Sequence, residues 1–177
     1  MNIPNSITFT RLIAAIVSFV FMFQNEWFIA SILILLAVLL DVFDGILARK
    51  YKQVTTQGGF FDVMADKVVI ISTFLVIGLL INRGFFFLGL VMLLREYSID
   101  TMRSIAATSG KTIKADKFSK IKGVLFMISM NGVLWNKVLF QDPNLDLVFL
   151  WISIITMIFC YITLVFVFKN NYMILKK

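Results

Sequence analysis

Residues 41–66 read DVFDGILARKYKQVTTQGGFFDVMAD and hold four aspartates, Asp41, Asp44, Asp62 and Asp66. Strongly apolar sequence lies on both sides, WFIASILILLAVLL before it (27–40) and KVVIISTFLVIGLLI after it (67–81). Two runs of membrane-crossing length, 27–48 and 60–81, therefore meet at a carboxylate-rich junction. Carboxylates at such a depth are costly, and ionisable groups there usually face a polar cavity with a partner. The reading of this junction decides both the fold and the chemistry.

Outward from it, four more apolar runs follow the same pattern, at 8–24, 84–107, 118–136 and 147–169. Each is long enough as a helix to cross a hydrocarbon layer of about 30 Å. The first run lacks a basic segment before it and a clear small-residue cleavage site, so it reads as a retained span. The expected architecture is an all-α integral membrane protein of six transmembrane helices, forming one catalytic domain over residues 1–177. Composition agrees, with 60% hydrophobic and only 15% charged residues, against about a quarter charged in soluble domains.

The basic residues orient the chain. With both termini in the cytoplasm, only Arg83 and Lys137 of the 17 lysines and arginines fall on the far side. That is a strong positive-inside bias, and it puts all four aspartates at the cytoplasmic face. The net charge of +7 is thus a topological signal, and no nucleic-acid partner is expected. Most of these cations serve orientation and anionic headgroups. Arg95, Arg103, Lys120 and Lys122 differ, because they lie inside or at the ends of spans.

There is no histidine, which removes the commonest general base and transition-metal ligand. The one cysteine, Cys160, lies in the last apolar run and reads as a small buried thiol. Asp41 and Asp44 are spaced i, i+3 and Asp62 and Asp66 i, i+4, so each pair shares a helix face. With a short connection the two helices are expected as antiparallel neighbours, their pairs facing across one cleft. Four carboxylates gathered in a low dielectric require either protonation or a cation among them. An all-oxygen set favours a hard ion, Mg²⁺ or Mn²⁺, and a pair of ions about 3.5–4 Å apart suits chemistry on phosphate. Gly45, Ala48 and Gly58 would open a groove for a phosphate-bearing ligand, although each taken singly reads first as a helix-packing residue of a membrane protein.

Written out, the spacing is Asp41-x2-Asp44-Gly45-x2-Ala48-Arg49-x8-Gly58-x3-Asp62-x3-Asp66. It resembles, at every fixed position, the D-x2-D-G-x2-A-R-x8-G-x3-D-x3-D signature of the CDP-alcohol phosphotransferases. Asn2-Ile3-Pro4-Asn5, Thr8 and Arg11-Leu12 resemble the NIPNxxTxxRL segment of the bacterial phosphatidylglycerophosphate synthases within that family. Ala65-Asp66-Lys67, Arg95-Glu96 and Lys120-Ile121-Lys122 are similar to the same group's ADK, RE and GKxK elements. Two departures, Val63 after Asp62 where proline is common and Ser119 where glycine is usual, fall outside the eight signature positions.

The resemblance implies transfer of a phosphatidyl group from CDP-diacylglycerol to sn-glycerol 3-phosphate, with release of CMP. It implies that Asp41, Asp44, Asp62 and Asp66 hold two divalent ions and that Asp66 is also the general base. Thr8, Asp44, Gly45, Ala48, Arg49 and Gly58 would line the CDP-lipid site. Arg95, Arg103, Lys120 and Lys122 would grip the acceptor phosphate, with Glu96 orienting a basic neighbour or the acceptor hydroxyl, or forming a structural ion pair. A homodimer in a bacterial inner membrane, with its active site toward the cytoplasm, is likewise implied. Inositol phosphate, serine or another small alcohol stays open as acceptor. From other classes, a cation transporter meets the difficulty that the polar groups gather at one face, and a purely structural subunit leaves the glycine and alanine spacing without a role.

Overall fold

The computed structural model describes residues 3–51, 56–108, 110 and 118–175, with side chains described for 8–40, 64–108, 110 and 121–170. These residues form six helices and no strand: α1 (Ile3–Phe23), α2 (Trp27–Tyr51), α3 (Thr56–Leu80), α4 (Arg83–Thr108), α5 (Phe118–Leu139) and α6 (Pro143–Leu175). The all-helical expectation is met, with every apolar run falling on one helix to within a residue. Within α6, Pro143–Asn170 is long and apolar enough to cross a membrane, while Thr8–Phe23 and Trp27–Leu40 are shorter apolar stretches. Charged residues cut into the apolar runs, Asp66 and Lys67 midway along α3, Arg95 to Arg103 from the middle of α4 onward, and Lys122 in the first turns of α5.

Local chemistry explains the helix ends. Asn82 Oδ1 accepts from the Gly84 amide at 2.8 Å, and Asp142 Oδ1 accepts from the Asn144 amide at 2.9 Å. Each satisfies an amide of the first turn, as an N-cap does. Pro143 follows Asp142 at the first helical position, where its missing N–H costs nothing. Asn25 turns between α1 and α2 with φ 63°, a left-handed conformation that asparagine tolerates.

Successive helices pack as hairpins, α1 on α2, α3 on α4 and α5 on α6. Further packing joins α1 to α3, α2 to α5, α4 to α6 and α3 to α5. Among the described residues α2 and α3 share no extended packing; α1 and α5 each touch both and bridge them. The expected α2–α3 pairing at the aspartates falls on residues 41–63, whose side chains lie outside those described. Small residues on α1, buried Ala14, Ala15 and Ser18, let it pack closely on its neighbours. The Ser18 hydroxyl donates to the Ala30 carbonyl of α2 at 3.1 Å.

At Gly78 α3 lies against the backbone of α4, where an added Cβ would fall 2.1 Å from the Phe86 nitrogen. Phe74 of α3 packs on Phe85 of α4 and Phe126 of α5, with ring centroids 6.0 and 5.7 Å away. Between α5 and α6, Ser129 donates to the Phe149 carbonyl at 2.7 Å and meets Ser153 at 2.6 Å. Such hydroxyl contacts join helices where lipid supplies no hydrophobic drive. Outside this core the surface is apolar: Phe9, Phe23, Leu79, Leu94, Trp151 and Val165 are all well exposed. So extensive an apolar exterior belongs against a membrane.

Candidate active site

α2 stays helical through Tyr51 and α3 begins at Thr56, so the i, i+3 and i, i+4 spacings of the aspartates lie on continuous helix. Four residues separate the two helices, limiting Tyr51 and Thr56 to about 18 Å apart. The side chains of Asp41, Asp44, Gly45, Ala48, Arg49, Gly58, Asp62 and Lys120 lie outside those described. Asp66 is described and half-buried, one residue from the fully buried Ala65. On α1, Thr8 and Arg11 are both buried and share a face one turn apart. A guanidinium buried in this way faces the bundle interior, not lipid.

Directly after Asp66 the structure gathers an ionic cluster from three helices. Lys67 of α3 donates to both Asp100 oxygens, at 2.7 and 2.6 Å, and stands 3.4 Å from Glu96 Oε2. Lys122 of α5 donates to Glu96 Oε1 at 3.2 Å. Arg95 Nη1 donates to the same oxygen. Glu96 is thus the point where cations from α3, α4 and α5 meet. The side chains are enclosed, with Arg95 7%, Lys122 14% and Glu96 18% exposed. Arg95 Nε is buried and has no hydrogen-bond partner among the described residues.

The structure therefore brings Arg95 and Lys122 together, as the sequence suggested, through Glu96. Arg103, two turns further along α4, is half-buried and stands outside the cluster. The sequence reading missed Asp100, although it carried a signal: Asp100 is i+4 from Glu96, which puts the two carboxylates on one helical face. Cys160 is buried, as expected of a small apolar thiol.

A search of the chain for known families finds the CDP-alcohol phosphatidyltransferase model matching residues 1–168, which takes in the aspartates, Arg95, Glu96 and Lys122. The chain belongs to the CDP-alcohol phosphatidyltransferase family. It is similar to the CDP-diacylglycerol–glycerol-3-phosphate 3-phosphatidyltransferase of Wigglesworthia glossinidia brevipalpis, 35% identical over 148 residues, 77% of this chain and 79% of that protein. Proteins of the same description from Haemophilus influenzae and Yersinia pestis (strain Pestoides F) are 30% and 29% identical, over 76% and 83% of this chain and 76% and 82% of theirs. As a member of the CDP-alcohol phosphatidyltransferase family the chain is a phosphatidyltransferase, a membrane enzyme of phospholipid biosynthesis.

The donor set fits a divalent cation. The signature offers carboxylate oxygens alone, in a chain without histidine, which is the chemistry of Mg²⁺ or Mn²⁺. Among the described residues no group of three or more histidine, cysteine, aspartate or glutamate side chains forms a second candidate.

Proposed function

We propose that this phosphatidyltransferase moves the phosphatidyl group of CDP-diacylglycerol to sn-glycerol 3-phosphate, giving phosphatidylglycerophosphate and CMP. The observation that carries this reading is the convergence of Lys67, Arg95 and Lys122 on Glu96, beginning one residue from Asp66. A small neutral alcohol offers nothing for the enclosed cations Arg95 and Lys122 to bind, whereas a phosphomonoester does. The names of the bacterial relatives point to the same acceptor.

Asp41, Asp44, Asp62 and Asp66 would hold two divalent ions, which neutralise charge developing on the diphosphate and the leaving phosphate. Thr8, Gly45, Ala48, Arg49 and Gly58 line the CDP-lipid site, leaving the acyl chains in the bilayer. Asp66 takes the proton from the primary hydroxyl of glycerol 3-phosphate as its oxygen bonds to the β-phosphorus. The bond from that phosphorus to the bridging oxygen breaks, and CMP leaves with the electron pair. Arg95 and Lys122, with Arg103 and Lys120 nearby in sequence, hold the acceptor phosphate. One six-crossing domain, both termini and the site on the cytoplasmic side of a bacterial inner membrane, and a homodimeric assembly complete the reading.

The decisive assay is CMP release from CDP-diacylglycerol by purified protein with Mg²⁺ or Mn²⁺ and a panel of acceptors. Glycerol 3-phosphate is expected to support release, while inositol phosphate, serine and glycerol do not. Release with one of those and none with glycerol 3-phosphate would overturn the choice of acceptor.

A further inference from the structure

We infer that Glu96 is a positioning residue, whose carboxylate fixes Arg95 and Lys122 side by side as one cradle for the acceptor's phosphate. The inference rests on the phosphomonoester acceptor proposed above. Its basis is how the five charges are connected. Glu96 Oε1 accepts from both Arg95 Nη1 and Lys122 Nζ, so one oxygen links a cation of α4 to a cation of α5. Its other oxygen faces Lys67, which Asp100 holds through two further contacts.

Three cations against two carboxylates leave this described cluster one positive charge in excess. The excess sits on enclosed groups with donors to spare. A guanidinium carries five N–H bonds and an ammonium three. Arg95 Nε is buried and without a partner among the described residues. A phosphate dianion supplies both the charge and the several oxygens these donors lack, and an arginine fork suits its geometry. Without the carboxylate, Arg95 and Lys122 would repel at short range and swing apart, and the dianion would meet two separate cations. Glu96 itself stays with its partners and touches no reacting atom.

The test uses the full chain in detergent micelles with CDP-diacylglycerol and saturating Mg²⁺. CMP release is followed against glycerol 3-phosphate for the wild type, Glu96→Gln and Glu96→Asp. Glu96→Gln should raise the acceptor KM at least tenfold, leave the CDP-diacylglycerol KM within twofold, and lower kcat less than KM rises. Inorganic phosphate, as a competitor of the acceptor, should lose inhibitory strength in parallel. Glu96→Asp keeps the charge and should recover part of the loss. A purely structural ion pair would lower thermal stability and leave the acceptor KM alone, overturning the inference. A lowered acceptor KM would overturn it too, by showing that the carboxylate competes with phosphate. Should Glu96→Gln not fold, Glu96→Asp carries the test, since its shorter side chain loses reach to one cation; an unchanged acceptor KM then refutes the role. A wild type that is inactive with glycerol 3-phosphate removes the acceptor reading itself, an outcome distinct from an active wild type with indifferent Glu96 variants.

Discussion

Replacing Gly78 by alanine tests the close packing of α3 on the backbone of α4. The new Cβ would lie 2.1, 2.3 and 2.4 Å from the nitrogen, Cα and Cβ of Phe86. Ordinary carbon contacts are about 3.5–4.0 Å, so α3 and α4 must part locally by roughly 1.5 Å. No side-chain rotation relieves this, because two of the opposing atoms are backbone. Overpacking of this kind costs about 1–3 kcal/mol. Parting the helices also loosens Phe74 from Phe85, an aromatic pair worth about 0.5–1.5 kcal/mol. The better helix propensity of alanine returns about 1 kcal/mol. The net loss is about 2 kcal/mol, or a Tm lower by roughly 4–8 °C for a chain of this size. Gly123→Ala is the control, because nothing lies within 4 Å of its added Cβ, and its Tm should hold or rise. Both variants can be followed by thermal melts in one detergent, read by near-ultraviolet circular dichroism. Gly78→Ala melting with the wild type would refute the close helix approach on which the argument depends.

Asp66→Asn should lower turnover by about 10²–10⁴-fold while the protein still folds and binds CDP-diacylglycerol; measured CMP release near the wild-type rate would remove Asp66 as the base. Chelation with EDTA should abolish CMP release, and added Mg²⁺ or Mn²⁺ should restore it; full activity in excess chelator would rule out the divalent site. Asp146→Ala should cost about 3–5 kcal/mol, because it leaves Lys137 and Asn136 without their shared buried partner. A thermal melt unchanged by that substitution would show the pair to be incidental.

The helices were legible because apolar run length is a one-dimensional signal. Their ends were less so: hydrophobicity alone starts the last span at 147, whereas the Asp142 cap and Pro143 begin α6 four residues earlier. The aspartate spacing was legible for a similar reason, since helical phase is readable once the segment is known to be helical. Glu96 as a meeting point was not. Its partners Lys67 and Lys122 come from other helices, and the Glu96–Lys122 contact spans 26 residues, with no periodicity to announce it. Nor could short connections reveal that α1 and α5 each pack on both α2 and α3, because loop length limits distance without choosing a helix's other neighbours. Asp100 was overlooked for want of a motif, although its i+4 relation to Glu96 was visible.

The turn between α5 and α6 has a bearing on how the chain enters its membrane. Asn136 donates to the Asp142 carbonyl at 2.8 Å and to Asp146 Oδ1 at 2.7 Å, while Lys137 takes Asp146 Oδ2 at 3.1 Å. Every partner comes from within about ten residues, a loop that closes in roughly 10–100 ns, far ahead of any docking between helices. The hairpin can therefore neutralise its own lysine before its neighbours arrive. In the proposed topology Lys137 is one of two cations that must be translocated. It would cross as half of a neutral pair, so the last two helices can insert together as a preassembled unit.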